Sequence, residues 1–225
     1  MPIPTEPIGS IPRPLPLVEA LASHDGDDPL LEPLYLEAVR DTIARFEATG
    51  SPVVTDGEQR KYHNFWTYCV HGLPNAGADG FRIPFSAGHT RRMPRLTSAP
   101  FRYRRSAELL PSLFQLEAGS FYVALASERK PERVLAIIRE HVRPGQRVFV
   151  GVVDPIDPRI ETPEQVCERV RLAARYLSPD QLGTTDDCGF APFCDDISTT
   201  RDSAFAKMRA RVAGTALAAR ALGLD

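Results

Sequence analysis

Hydrophobic and polar positions alternate along this chain in two periods. Residues 30–49 (LLEPLYLEAVRDTIARFEAT) place Leu34, Ala38, Ile43 and Phe46 at helical spacings, and Gly50 follows as a C-cap signal. PIPTEPIGS at the start reads as a short strand running into a Gly-Ser turn, and SPVVTDGE (51–58) as a buried strand ending in polar residues. Beyond residue 105 the rhythm is regular. SAELLPSLFQLEAG is a helix closed by Gly119, SFYVALAS a strand, and KPERVLAIIREHV a helix with Pro131 in its first turn. RVFVGVVD is an apolar strand closed by Asp154. TPEQVCERVRLAARYL carries Thr162 as N-cap, Pro163 at the first helical position and Glu164-Gln165 in the first turn. QLGTTDD is a short strand, and SAFAKMRARVAGTALAARAL an Ala-rich amphipathic helix.

Strands alternating with helices predict right-handed βαβ crossovers and an α/β fold with about five parallel strands. Residues 63–105 break the rhythm. They are rich in aromatics, Pro, Gly and Arg, and FRIPFSA with MPRLTSAPFRYR predicts a β-hairpin excursion within a single domain, 1–225.

Composition narrows the function classes. A chain of 225 residues, 43% hydrophobic and 25% charged, has the make-up of an ordinary globular protein. Its net charge of −2 gives no electrostatic case for nucleic acid or an anionic membrane. No apolar run reaches the roughly 20 residues of a membrane span. The opening MPIPTEPIGSIPRP lacks the basic and apolar regions of a secretory leader, and four scattered cysteines make no disulfide framework, so a cytoplasmic location is expected.

In parallel α/β folds, ligand sites sit beyond the strand C-termini. Those positions hold Ser10, Asp56, Glu58, Asp154 and Asp186 to Cys188. Cys188 lies in GTTDDCGFAPFCDD, six residues from Cys194, which is not a CxxC spacing. The surrounding carboxylates oppose its thiolate, so activation would need a cation such as a divalent metal. A structural or incidental cysteine is the competing reading.

IGSIPRP, VVTDGEQRK, VFVGVVDP and TTDDCGF, in that order, resemble the cobalamin-independent methionine synthase family in its catalytic domain, over nearly the whole chain. The resemblance implies a TIM barrel in which zinc activates the homocysteine thiol to take a methyl group from a methyltetrahydrofolate. It further implies that Ile8, Gly9 and Ser10 hold the amino-acid substrate. Glu58, after Gly57, would face the substrate ammonium, and Cys188 would ligate zinc.

The chain also departs from that pattern. It has no His-Xaa-Cys pair. Ala124 falls where the family has a ligating Glu, and Ile156 where it has a proton-donating His. The family's catalytic domains are longer, as if barrel units after about residue 105 were absent here. His63 and His89 are the histidines that could replace lost ligands. Five strands would leave two open edges, which points to a homodimer or a complex with a longer relative. Three functions follow: homocysteine methyl transfer, a non-catalytic binder of a small thiol or amino acid, and a zinc-dependent transferase acting on another thiol. Because both follow strands in the family pattern, Ser10 and Glu58 are expected within about a side chain's reach of each other at one end of the sheet.

Overall fold

The computed structural model describes residues 3–24, 28–61, 76–84, 90–96, 106–193 and 196–224. His63, His89, Cys69 and Cys194, together with parts of the 63–105 excursion, lie outside the described residues.

The sheet is built from β3 (Ser120–Val123), β4 (Arg147–Val153) and β5 (Leu182–Asp186), parallel and in the order β3-β4-β5. Every residue of β4 from Val148 onward is buried, because a parallel strand is covered on both faces. Three helices follow the three strands: α4 (Pro131–His141), α5 (Pro163–Ala173) and α6 (Arg201–Ala221). In α5 the start is fixed as the sequence predicts. Thr162 accepts from the Gln165 backbone while the Gln165 side chain accepts from the Thr162 backbone. Val134, Leu135 and Ile138 of α4, Val166 and Val170 of α5, and Phe205 and Met208 of α6 join the strand residues in one core. Against the expected closure at Gly119, the helix before β3, α3 (Ser106–Leu113), ends six residues sooner.

The N-terminal segment reaches this sheet on the free side of β5. Thr5 bridges Thr184 in parallel, with Glu6 N donating to Thr184 O at 3.0 Å and Thr184 N to Pro4 O at 2.9 Å. In a closed barrel, too, the first strand lies beside the last. The expected second strand is not one. Val53 and Val54 are exposed, and the Val53 carbonyl accepts from the Ser51 hydroxyl at 2.7 Å instead of from a neighbouring strand. The count of about five parallel strands is therefore corrected to three and a single bridge among the described residues.

Two helices precede that segment: α1 (Leu15–Ser23), which the Pro-rich sequence conceals, and α2 (Glu32–Ala48). The buried stripe of α2 is Tyr35, Ala38, Thr42 and Phe46. It is rotated from the predicted one because α2 packs on α1 through Tyr35 and on α6 through Phe46, whose ring meets Phe205 edge-on at 5.4 Å. The excursion contains the predicted antiparallel hairpin, β1 (Ala76–Pro84) with β2 (Thr90–Leu96).

Candidate functional site

Three segments meet beyond the C-terminal end of the sheet: residues 8–13, 57–61 and 186–191. The first two are laced together. Ile11 N donates to Gly57 O at 3.0 Å, the buried Gln59 amide donates back to Ile11 O at 3.0 Å, and Arg13 Nε donates to Gln59 O at 3.0 Å. Gly57 and Glu58 are both left-handed, with φ of 64° and 54°, and Glu58 is the only non-glycine residue with positive φ among the described residues. A side chain in that region is strained by about 1–3 kcal/mol. At Gly57 a Cβ would also sit 2.8 Å from Ile11 and Thr42 side-chain carbons, so glycine is required there.

The first and third segments touch through glycines. A Cβ on Gly9 would lie 2.7 Å from Gly189 Cα, and one on Gly189 would lie 2.5 Å from Ser10 N. Phe190 N donates to Ser10 O at 2.7 Å, and the buried Ser10 hydroxyl donates to Ala191 O at 2.5 Å. Lys61 donates to the same carbonyl at 2.5 Å and to Glu58 Oε2 at 3.3 Å. Ser10 and Glu58 thus stand at one end of the sheet, joined through Ala191 and Lys61. The structure brings together Ile8, Gly9, Ser10, Gly57, Glu58 and Cys188.

Other sequence candidates are taken up by structural work. Asp187 receives Leu125 N, Ala126 N and Ser127 N at 2.7–2.8 Å and the Ser127 hydroxyl at 2.7 Å, bracing the loop after β3 against the loop after β5. Gly151 of β4 makes room for that carboxylate, since a Cβ there would fall 1.8 Å from Asp187 Oδ1. Asp186 is buried against Arg211 of α6. Burial pushes its carboxyl up to about 6, against the opposing pull of Arg211 and the Ile8 backbone. Asp56 and Asp154 accept from Glu58 N and Ile156 N, each at 2.9 Å, as turn residues. Ile156, where the resemblance looks for a histidine, is 83% exposed. Lys207 and Glu161, both buried and 2.8 Å apart, tie the loop after β4 to α6.

Cys188 is exposed as a residue, yet partial desolvation of its thiol and then Asp187, Asp154 and Asp186 push the thiol up, so it is a poor nucleophile on its own. The zinc that the resemblance implies does not fit the described residues. No three of their His, Cys, Asp or Glu side chains could hold a metal ion. The carboxylates nearest Cys188 in sequence are spent on backbone amides and on Arg211. Among the described residues no helix is long and apolar enough to cross a membrane.

Sequence reasoning missed Gln59 and Lys61 as members of the site, although both lie inside VVTDGEQRK. Nothing in their type announces it: lysine and glutamine are usually exposed, and only the packing of the loop buries them.

Similarity to known proteins bears on this arrangement. Residues 103–213 match a family model described as the catalytic domain of cobalamin-independent synthase. A 5-methyltetrahydropteroyltriglutamate–homocysteine methyltransferase of Kali turgidum is 28% identical over 87 residues, 39% of this chain and 11% of that protein. The chloroplastic form 3 from Arabidopsis thaliana is 22% identical over 165 residues, 68% of this chain and 18% of the relative. The chain thus spans less than a fifth of the curated relatives it matches. Among solved structures, a B12-independent methionine synthase from Shewanella sp. W3-18-1, in complex with selenomethionine, superposes with a TM-score of 0.72. That likeness covers 99% of both chains at 15% identity, which speaks to the fold.

Proposed function

Through residues 103–213 the chain belongs to the cobalamin-independent methionine synthase family, and we propose that it is a methyltransferase-type protein of that family whose site receives homocysteine or methionine as a free amino acid. One observation carries the reading: Ile8–Ser10, Glu58 and Cys188 converge at the C-terminal end of one parallel sheet, from three separate stretches of sequence. Glu58 takes the ligand's α-ammonium, and the backbone around Ile8–Ser10 takes its carboxylate. The sulfur end extends toward Cys188. The amino acid bound by the Shewanella protein, selenomethionine, is of this class.

The full reaction we propose transfers a methyl group from a methyltetrahydropteroylglutamate donor to the homocysteine thiol. A thiolate is needed at neutral pH, and zinc is the family's means of forming it. Of the expected zinc ligands the described residues supply Cys188 alone. Amino-acid binding, rather than methyl transfer, is therefore what these residues support by themselves. Isothermal titration with L-methionine tests the reading. Saturable one-to-one binding is expected, weakened roughly tenfold or more in Glu58→Gln through loss of a hydrogen bond to a charged group. Equal binding of D-methionine, or no effect of Glu58→Gln, would overturn it.

The exposed Ile156 and the lack of a three-ligand group among the described residues favour a second reading, a non-catalytic amino-acid binder that works with a longer relative or a second copy. Ile156, Ile160 and Ile197 are exposed on the loops after β4 and β5, and exposed apolar surface favours association. Light scattering at micromolar concentration is expected to give a dimer mass. A monodisperse monomer would remove the self-association.

A further inference from the structure

Lys61 has no part in the assignments above, yet it sits at the centre of the site. Its side chain is 5% exposed, whereas that of Glu58 is 48% exposed. Burying an ammonium is unfavourable unless charge and hydrogen bonds compensate. The compensation includes Glu58 Oε2 at 3.3 Å and Ala191 O at 2.5 Å. The same carbonyl receives the Ser10 hydroxyl at 2.5 Å. A single oxygen on the loop after β5 thereby fixes both the serine of the first segment and the lysine that holds the glutamate of the second. Glu58 needs such a hold: its backbone is left-handed at φ 54° and its side chain reaches into solvent. Loop closure by Gln59 fixes the backbone through Ile11 O and Gly57 O and does not itself hold the carboxylate.

We propose that Lys61 is the positioning residue of this site: braced on Ala191, its ammonium holds one oxygen of Glu58 so that the other is presented to the α-ammonium of an amino-acid ligand. This deepens the amino-acid reading and rests on it. A carboxylate has about four lone-pair sites, so pairing with Lys61 leaves acceptor capacity for the ligand. The pair is also close to neutral as a unit. It therefore suits a zwitterion better than a simple amine, which would bring a charge with nothing to balance it.

A double-mutant cycle on the full chain, with L-methionine as probe and calorimetry as readout, tests the proposal. Lys61→Met and Glu58→Gln should each weaken binding roughly tenfold or more. The double variant should be no weaker than either alone, because both remove one unit. Lys61→Arg should restore most of the affinity, which a purely space-filling role would not predict. Additive losses, or wild-type affinity in Lys61→Met, would overturn the proposal, and Lys61→Gln runs in parallel should Lys61→Met not fold. Amide exchange on the ligand-free chain gives a second measurement. Residues 57–61 and 190–191 should lose protection together in Lys61→Met and Lys61→Gln, while β4 keeps its own. If the wild type binds no methionine, the amino-acid reading falls, and unchanged exchange at both loops would sink the role of Lys61 separately.

Discussion

At the scale of single residues, burial overrides residue type. Lys61, Lys207 and Arg211 are all nearly inaccessible, although such side chains rarely are unless paired. Each is paired, with Glu58, Glu161 and Asp186 respectively. The Asp186–Arg211 pair makes a pH prediction. The carboxyl is raised by burial from 3.8 to about 6 in the folded chain. A raised acid binds its proton more tightly in the native state, so its contribution to stability is complete below about 4 and is lost as pH rises through about 6. Relative to Asp186→Asn, the wild type should lose up to about 3 kcal/mol across that window, read from urea denaturation at each pH. A difference that grows in the wild type's favour with rising pH would show that Arg211, not burial, governs the group.

At the scale of elements, a local signal sets where α5 begins, and tertiary contacts set which face α2 buries. Thr162-Pro163-Glu164-Gln165 carries a complete start signal, and α5 begins there with both capping bonds formed. Thr162→Ala should lower stability by about 1 kcal/mol, measured by chemical denaturation, and leave the fold unchanged. A loss below a few tenths would mean that α5 is held by its packing on α6 alone. The face of α2, by contrast, was misjudged by one position. Leu34 and Ile43 are periodic but half-buried, while Tyr35 and Thr42 are buried by α1 and by Arg201, whose guanidinium donates to Thr42 at 2.9 Å. PVV failed as a strand for a related reason. Valines favour a pleated surface only where a neighbour offers hydrogen bonds and cover, and here they are solvent-facing.

At the scale of the molecule, segments distant in sequence make the site. Residues 8–11 and 186–191 are far apart in sequence and meet at Gly9 and Gly189, where neither position tolerates a Cβ. Gly189→Ala should therefore detach the first segment. Methionine binding should disappear, while amide protection in β4 and α5 persists, since the atoms that crowd that junction belong to residues 9, 10, 188 and 189. Retained binding would mean that the two loops reach the ligand independently.

The sequence by itself determined the βαβ succession from residue 106 onward, the cap of α5, the family, and the membership of Ser10, Glu58 and Cys188 in one end of the sheet. Those rest on periodicity, on capping chemistry and on short motifs that keep their order, all properties of neighbouring residues along the chain. Only the tertiary structure decided that Asp186 and Asp187 are braces and not free acids, that residues 51–55 pair with no strand among the described residues, and that Gln59 and Lys61 lie within the site. Each of those depends on which group arrives from a distant segment to desolvate or hydrogen-bond the residue, and a linear pattern does not encode that arrival.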